Sequence, residues 1–147
     1  MLTWSCKKFT EISTDELYNI LQLRLEVFIM EQQCIYQDCD DKDQQSLHLM
    51  GWEGSKLVAY ARVLPPGLSY SSPSRGRVVT SPTSRKTGYG RELMNLAIDT
   101  VKSVHNTGTI IIGAQIYLES FYSSLGFRQE GDIYIEDGIE HIKMIKR

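Results

Sequence analysis

The sequence is poor in several features that would place a chain in a class at once. It has only three cysteines, Cys6, Cys34 and Cys39, in 147 residues. Three thiols cannot all pair within one chain. Cys34 and Cys39 stand too far apart for a zinc knuckle, and no histidine follows at ligand spacing, so reduced thiols and no metal are expected. There is no excess of one charge: the net value is −2 and the pI is near 5.9, which argues against a dedicated nucleic-acid binder. No apolar run approaches membrane-spanning length, and the opening residues Met1 to Lys8 hold no apolar signal core. A cytoplasmic protein with no membrane contact is expected. Repeats, linkers and low-complexity tracts are also missing, so residues 1–147 read as one domain, large enough to bury a core without disulfides or metal.

Two familiar phosphate-binding patterns are missing as well. A dinucleotide fingerprint needs a third glycine where this chain has Leu93, and no Gly-x-x-x-x-Gly-Lys-Ser/Thr run occurs. What is present is Arg85-Lys86-Thr87-Gly88-Tyr89-Gly90, between a short apolar strand, Val78-Val79-Thr80, and a helix beginning near Arg91. The first N–H groups of a helix have no intrahelical partner and carry the positive end of the macrodipole, so such a turn suits phosphate. Arg85, Lys86 and Arg91 add cations, favouring a ligand with several negative charges. By itself the turn fits an ordinary strand-to-helix connection equally well.

The rest of the chain mixes strand and helix signals. Ser13-Thr14-Asp15-Glu16 is a capping box, followed by Leu17, Ile20, Leu21, Leu25 and Phe28 at helical spacing. Residues 38–45 form a polar, acidic loop. Strand-like runs at 47–53 and 56–64 are joined through Gly54-Ser55, a hairpin signal. A turn-rich stretch leads to a strand at 77–81. Leu93, Leu96, Ala97, Val101 and Val104 mark a long amphipathic helix ending before Asn106-Thr107-Gly108. A buried strand at 110–115 precedes a short helix carrying Tyr122, where Gly126 suits a left-handed cap. The chain ends in a hairpin, 132–135 and 139–145, around Asp137-Gly138.

Arg-x-x-Gly-x-Gly from Arg85 to Gly90 resembles the pyrophosphate signature of the GNAT superfamily of acyl-CoA N-acyltransferases. Phe121-Tyr122-Ser123-Ser124-Leu125-Gly126-Phe127 resembles that family's second signature, in the family's order and at a fitting distance. Further matches, among them Leu21 to Arg24, Gly51-Trp52, Leu57 to Arg62, Gly113-Ala114-Gln115 and Glu136 to Ile139, are similar to its ElaA-type branch and extend from Trp4 to Met144. The resemblance implies an α+β GNAT fold, a mixed central β-sheet splayed open to admit acyl-CoA and flanked by helices. It implies transfer of an acetyl group from acetyl-CoA, as co-substrate, to a primary amine by direct attack. A non-catalytic acyl-CoA-binding or sensing module is the alternative, and a monomer and a homodimer are both open.

By the same resemblance the CoA pyrophosphate falls on the backbone from Lys86 to Arg91, with Arg85, Lys86, Thr87, Gly88, Tyr89, Gly90 and Arg91 as the phosphate turn. The pantetheine arm falls alongside Val78, Val79 and Thr80, with the Val79 N–H facing the thioester carbonyl, and Gln115 joins the cofactor-binding set. Tyr122 matches the family's general acid: a phenol is protonated at neutral pH and can donate to a departing thiolate. An ammonium acceptor must also lose a proton. Glu31, Asp38, His48, Glu136 and His141 are the candidate bases, with Glu31 and His141 ranked first. His48 alternates with Leu47 and Leu49, which suits a structural or exposed histidine better.

Overall fold

The computed structural model describes residues 2–85 and 87–147. Lys86, part of the expected phosphate turn, lies outside the described residues.

Four antiparallel strands form the first sheet in the order β1 (Thr3–Lys8), β2 (Leu47–Glu53), β3 (Lys56–Leu64) and β4 (Ser74–Thr80). A second sheet holds β5 (Ile110–Gln115), β8 (Ile139–Lys146) and β6 (Arg128–Gln129), with β7 (Tyr134–Glu136) also pairing β8. The hairpins fall where the turn residues place them. Gly54 takes φ 62° between β2 and β3, while Asp137 and Gly138 both take positive φ, 51° and 77°. Two successive positive φ values match a type I′ turn, which follows strand twist and keeps the hairpin in register. β1 was not anticipated. Its alternation is weak in sequence, and it is held by long-range contacts: a ladder to β2, and Trp4 Nε1 donating to Glu92 at 2.7 Å.

Helix α1 (Thr14–Arg24) starts on the expected capping box: Ser13 Oγ accepts from Glu16 N at 3.0 Å and Glu16 accepts from Ser13 N at 2.9 Å. It then widens into a π-helical stretch, Leu25–Glu31. The change of period shifts the apolar face. Leu25, placed in the core stripe by 3.6-residue spacing, is 47% exposed, whereas Leu23, Val27 and Phe28 are buried. Helix α2 (Tyr89–His105) runs from Gly88, at φ 84°, to a left-handed cap at Asn106. Its buried face is Leu93, Met94, Ala97, Ile98 and Val101, so Val104 from the expected stripe lies outside it. Helix α3 (Glu119–Ser123) ends with Gly126 at φ 96° and Phe127 N donating to the Tyr122 carbonyl at 3.1 Å. No helix among the described residues is long and apolar enough to cross a membrane.

The sheets are packed on both faces. Ile20, Leu23, Val27 and Phe28 cover Met50, Tyr60 and Val79 on one side. On the other, α2 and α3 cover Ala59, Ala61 and Val63 together with Ile110, Ile112 and Ala114. One α2-side cluster therefore spans both sheets, and apolar burial of this kind supplies most of the driving force for folding.

The acidic loop is not the solvated surface that such a run usually forms. Asp38 and Asp43 are buried and join Asp40 in a lattice with three arginines. Arg24 pairs with Asp38 and Asp43 at 2.9 and 2.8 Å, Arg62 with Asp40 and Asp43 at 2.7 and 2.9 Å, and Arg77 with Asp38 at 2.8 Å. Sequence inspection missed this because the partners come from α1, β3 and β4. His48 closes the same region: it is fully buried, with Nδ1 2.6 Å from the Tyr60 hydroxyl and Nε2 2.8 Å from the Asp43 carbonyl. A neutral imidazole satisfies both, donating from Nε2 and accepting at Nδ1, so His48 has a structural role.

These groups set the response to acid. Burial pushes the His48 imidazole below its ordinary value. Burial alone would raise the Asp40 and Asp43 carboxyls, but hydrogen bonds and charge hold both below the usual carboxylate range, from Arg62 and Arg77 at Asp40 and from Arg24 and Arg62 at Asp43. For all three, the unfolded chain takes up protons at a higher pH than the native state. Their contribution is present near neutrality and is lost as pH falls. The expected result is a Tm that declines below about pH 6.5 and more steeply below about pH 4, measured by calorimetry from pH 7 to pH 3. A Tm unchanged down to pH 4 would contradict this.

Candidate active site

The crossover β4–α2–β5 sets β4 and β5 side by side, yet they share no ladder. Their one backbone bond, Ile111 N to the Pro73 carbonyl at 3.1 Å, pins the start of both strands. Beyond it the strands diverge, and a cleft of about 1120 Å³ opens between the sheets. The register of β4 shifts by one residue opposite β3 between Tyr60 and Arg62, and Arg77 takes φ 51° there. Such a bulge bends the strand and adds twist, which helps carry β4 away from β5.

The ladder corrects one expectation. Ser81 N donates to the Val58 carbonyl at 2.7 Å, so Ser81 and Val58 form a hydrogen-bonded pair. Two residues back, Val79 opposite Tyr60 falls in the same phase and turns its N–H into the sheet. Its side chain is buried beneath α1. The groups turned to the cleft belong to Val78 and Thr80, and Arg85 Nη2 approaches the Thr80 carbonyl at 3.4 Å. The N–H turned to the cleft is thus that of Val78 rather than that of Val79. Only strand register separates the two.

At the open end, Gly88 starts α2 with no side-chain cap, and a Cβ at Gly88 or Gly90 would meet nothing within 4 Å. The leading N–H groups of α2 are therefore uncapped and unobstructed, as an acyl-CoA pyrophosphate requires. Thr87 Oγ1 donates to the Ser84 carbonyl at 2.6 Å and closes the turn. Tyr89 opens the helix, and Arg91 leans onto α3, donating to Ser124 Oγ at 2.9 Å. Arg85 makes a two-pronged pair with Glu31, both contacts 2.6 Å.

That pair weakens the case for Glu31 as a base. Hydrogen bonds from Arg85 hold its carboxyl below the usual range, and both oxygens are engaged. An arriving phosphate would compete with Glu31 for the same guanidinium. Glu31→Gln is expected to tighten CoA binding several-fold and leave the pH–rate profile unchanged, as read by titration calorimetry and kinetics. Weaker CoA binding would refute the competition.

Tyr122 lies at the cleft wall with 3% exposure, its ring edge-on to Phe121 and Phe127 at 5.2 and 6.0 Å. Across the cleft, Gln115 pairs in register with His141. His141 stacks on Tyr134 at 5.7 Å, and its Nδ1 is 2.8 Å from the Ile139 carbonyl. A carbonyl can only accept, so Nδ1 carries a proton and, in the neutral ring, Nε2 holds the lone pair; Nε2 lies 3.7 Å from Glu136. Gln115 Nε2 donates to Gln32 at 3.3 Å, and Cys34 Sγ donates to the Asp137 carbonyl at 2.8 Å, together tying the π-helical end to the second sheet. Of the candidate bases, Asp38 and His48 are locked in the buried lattice, while Glu31, Glu136 and His141 line the cleft.

Two sheets sharing a core yet splayed around an uncapped helix start define an acyl-CoA N-acyltransferase fold. The Acetyltransferase (GNAT) domain family matches residues 11–147, and the chain belongs to that family. Among its relatives, Protein ElaA of Escherichia coli is 38% identical over 148 residues, covering 99% of this chain and 97% of that protein. The UPF0039 protein sll0451 of Synechocystis is 42% identical, covering 99% and 96%. The crystal structure of E. coli ElaA superposes with a TM-score of 0.93 at 37% identity, covering all of both chains. An acyl-CoA N-acyltransferase from Pseudomonas aeruginosa superposes at 0.94, also at 37% identity with full coverage.

Proposed function

We propose that this chain transfers the acetyl group of acetyl-CoA to a primary amine by direct attack, with Tyr122 as general acid and His141 as general base. The observation that carries the proposal is the opening of β4 from β5 between a free α2 start and Tyr122. An acyl-CoA laid along it has its pyrophosphate at Gly88 to Arg91, beside Arg85, and its pantetheine amides against Val78 and Thr80. The Val79 side chain backs that strand from the far side.

The thioester is already activated, so the protein positions the reactants and handles protons. His141 Nε2 takes a proton from the ammonium. The amine lone pair forms the C–N bond, and the carbonyl oxygen gathers charge opposite Val78 N–H, where an aimed donor is worth a few kcal/mol of barrier, about 3. Collapse breaks the C–S bond, the thiolate takes the Tyr122 proton, and the second proton of the attacking nitrogen leaves through solvent and returns the Tyr122 phenolate to phenol. The products are an N-acetyl amine and CoA.

The test measures two things. Acetyl-CoA and CoA should raise Tm by several degrees where NADH and ATP do not, and an amine panel should release CoA from acetyl-CoA. His141→Gln is expected to lower kcat/KM about a hundredfold and remove the ascending limb of its pH profile. Binding of both CoA species with no release from any amine would favour a non-catalytic sensing module instead.

A further inference from the structure

Four arginines of the cleft differ in one respect. Arg62, Arg77 and Arg85 each face a carboxylate, from Asp40 and Asp43, Asp38, and Glu31 respectively. Arg75 faces none among the described residues. It is 8% exposed, and its Nε and Nη2 are sealed from solvent without a hydrogen-bond partner. Its guanidinium carbon lies 4.5 Å from the centre of the Tyr122 ring. A cation–π contact stabilises the charge but uses none of its N–H donors. A buried guanidinium with idle donors is costly, and an arriving anion would remove that cost.

Two tyrosines lining the same cleft as Arg75 are donors too. Tyr70 and Tyr134 send their hydroxyls to one place on β5: a Cβ built on Gly113 would stand 3.2 Å from the Tyr70 hydroxyl and would run into that of Tyr134. Burial pushes the Tyr134 phenol above its ordinary value, so it stays protonated. The CoA phosphates are an unsuitable occupant. Arg75 lies at the pinned floor of the cleft, five residues of strand before Thr80, or roughly 16 Å at 3.3 Å per residue, and the phosphate turn lies beyond that. The Tyr134 ring instead connects this corner to the acceptor side, because its face stacks on His141 while its hydroxyl reaches Gly113.

We infer that the acceptor is an amine that also bears a carboxylate, an amino-acid-like molecule whose carboxylate is held by Arg75 with the Tyr70 and Tyr134 hydroxyls while its amine faces His141. The inference rests on the acetyltransferase reading for the amine end. The planar fork of Arg75 suits two-point recognition of a carboxylate. An uncharged amide in the same place would leave the guanidinium unpaired.

The anion site is tested without turnover. N-acetylated glycine, alanine and leucine, and their carboxamides, are titrated calorimetrically into protein saturated with CoA. The acids should bind at least tenfold more tightly than the amides, and Arg75→Met should reduce that ratio to near one. Arg75→Lys, which keeps the charge and loses the fork, should lose most of it. Tm for Arg75→Met should equal or exceed that of the wild type, because an unpaired buried charge is removed. Equal binding of acid and amide by the wild type, or a preference that survives both substitutions, overturns the inference. So does an Arg75-dependent preference for succinyl-CoA over acetyl-CoA, which would move the anion to the donor. If the acids bind through Arg75 while no amino acid releases CoA, the transferase reading fails and the carboxylate site stands.

Discussion

Tyr122→Phe is expected to lower kcat by about 10²–10³-fold while leaving KM for acetyl-CoA within a few-fold of wild type. The ring is embedded between Phe121, Phe127 and the Arg75 guanidinium, and phenylalanine preserves every one of those contacts. Only the proton donor is removed, so stability should be nearly unchanged. The decisive measurement is turnover with acyl donors whose thiols differ in acidity. A general acid matters less as the leaving thiolate becomes more stable, so the defect should shrink with a more acidic thiol. A defect of the same size for every donor would assign Tyr122 to positioning instead. A rise in KM with kcat intact would assign it to binding.

The largest loss of stability is expected at Arg24, far from any reacting atom. Arg24 is fully buried and holds Asp38 through Nε and Asp43 through Nη1. Removing one member of a buried ion-paired group leaves carboxylates short of a partner, which costs about 3–5 kcal/mol. Arg24→Met should therefore lower Tm by roughly 10 °C in a domain of this size, read by calorimetry at pH 7. The loop from Asp38 to Asp43 should loosen first, visible as faster amide exchange there. Replacing Arg24 together with Asp38 and Asp43 by apolar residues of similar volume should recover much of the loss, since a lattice of this kind gives more specificity than stability. A Tm within 2 °C of wild type for Arg24→Met alone would mean that Arg62 and Arg77 suffice for the loop.

The features read correctly from the chain are those written in a few adjacent residues. Ser13 and Glu16 cap one helix, and another ends before Asn106. Gly54 and the Asp137-Gly138 pair turn two hairpins, and the run Ile110–Gln115 forms the strand it suggests. The uncapped start of α2 belongs to this class, because a helix start needs only its own N–H groups. Helix phase was harder. The apolar spacing around Leu25 assumes an α-helical period, and the π-helical stretch changes it.

The sequence by itself determined the caps, the hairpin turns and the uncapped helix start, because each depends on backbone preferences within one turn or one hairpin. The tertiary structure alone decided which charges are paired and which N–H groups face the cleft. Asp38, Asp40 and Asp43 look alike in sequence, and their arginines come from three separate elements. The N–H of Val78 rather than that of Val79 faces the cleft because strand alternation is counted from the Val58–Ser81 bond. Arg75 is distinguished from the other arginines only by what it fails to touch. Contacts made across long stretches of chain depend on how the sheets diverge, and no local pattern of residues encodes that.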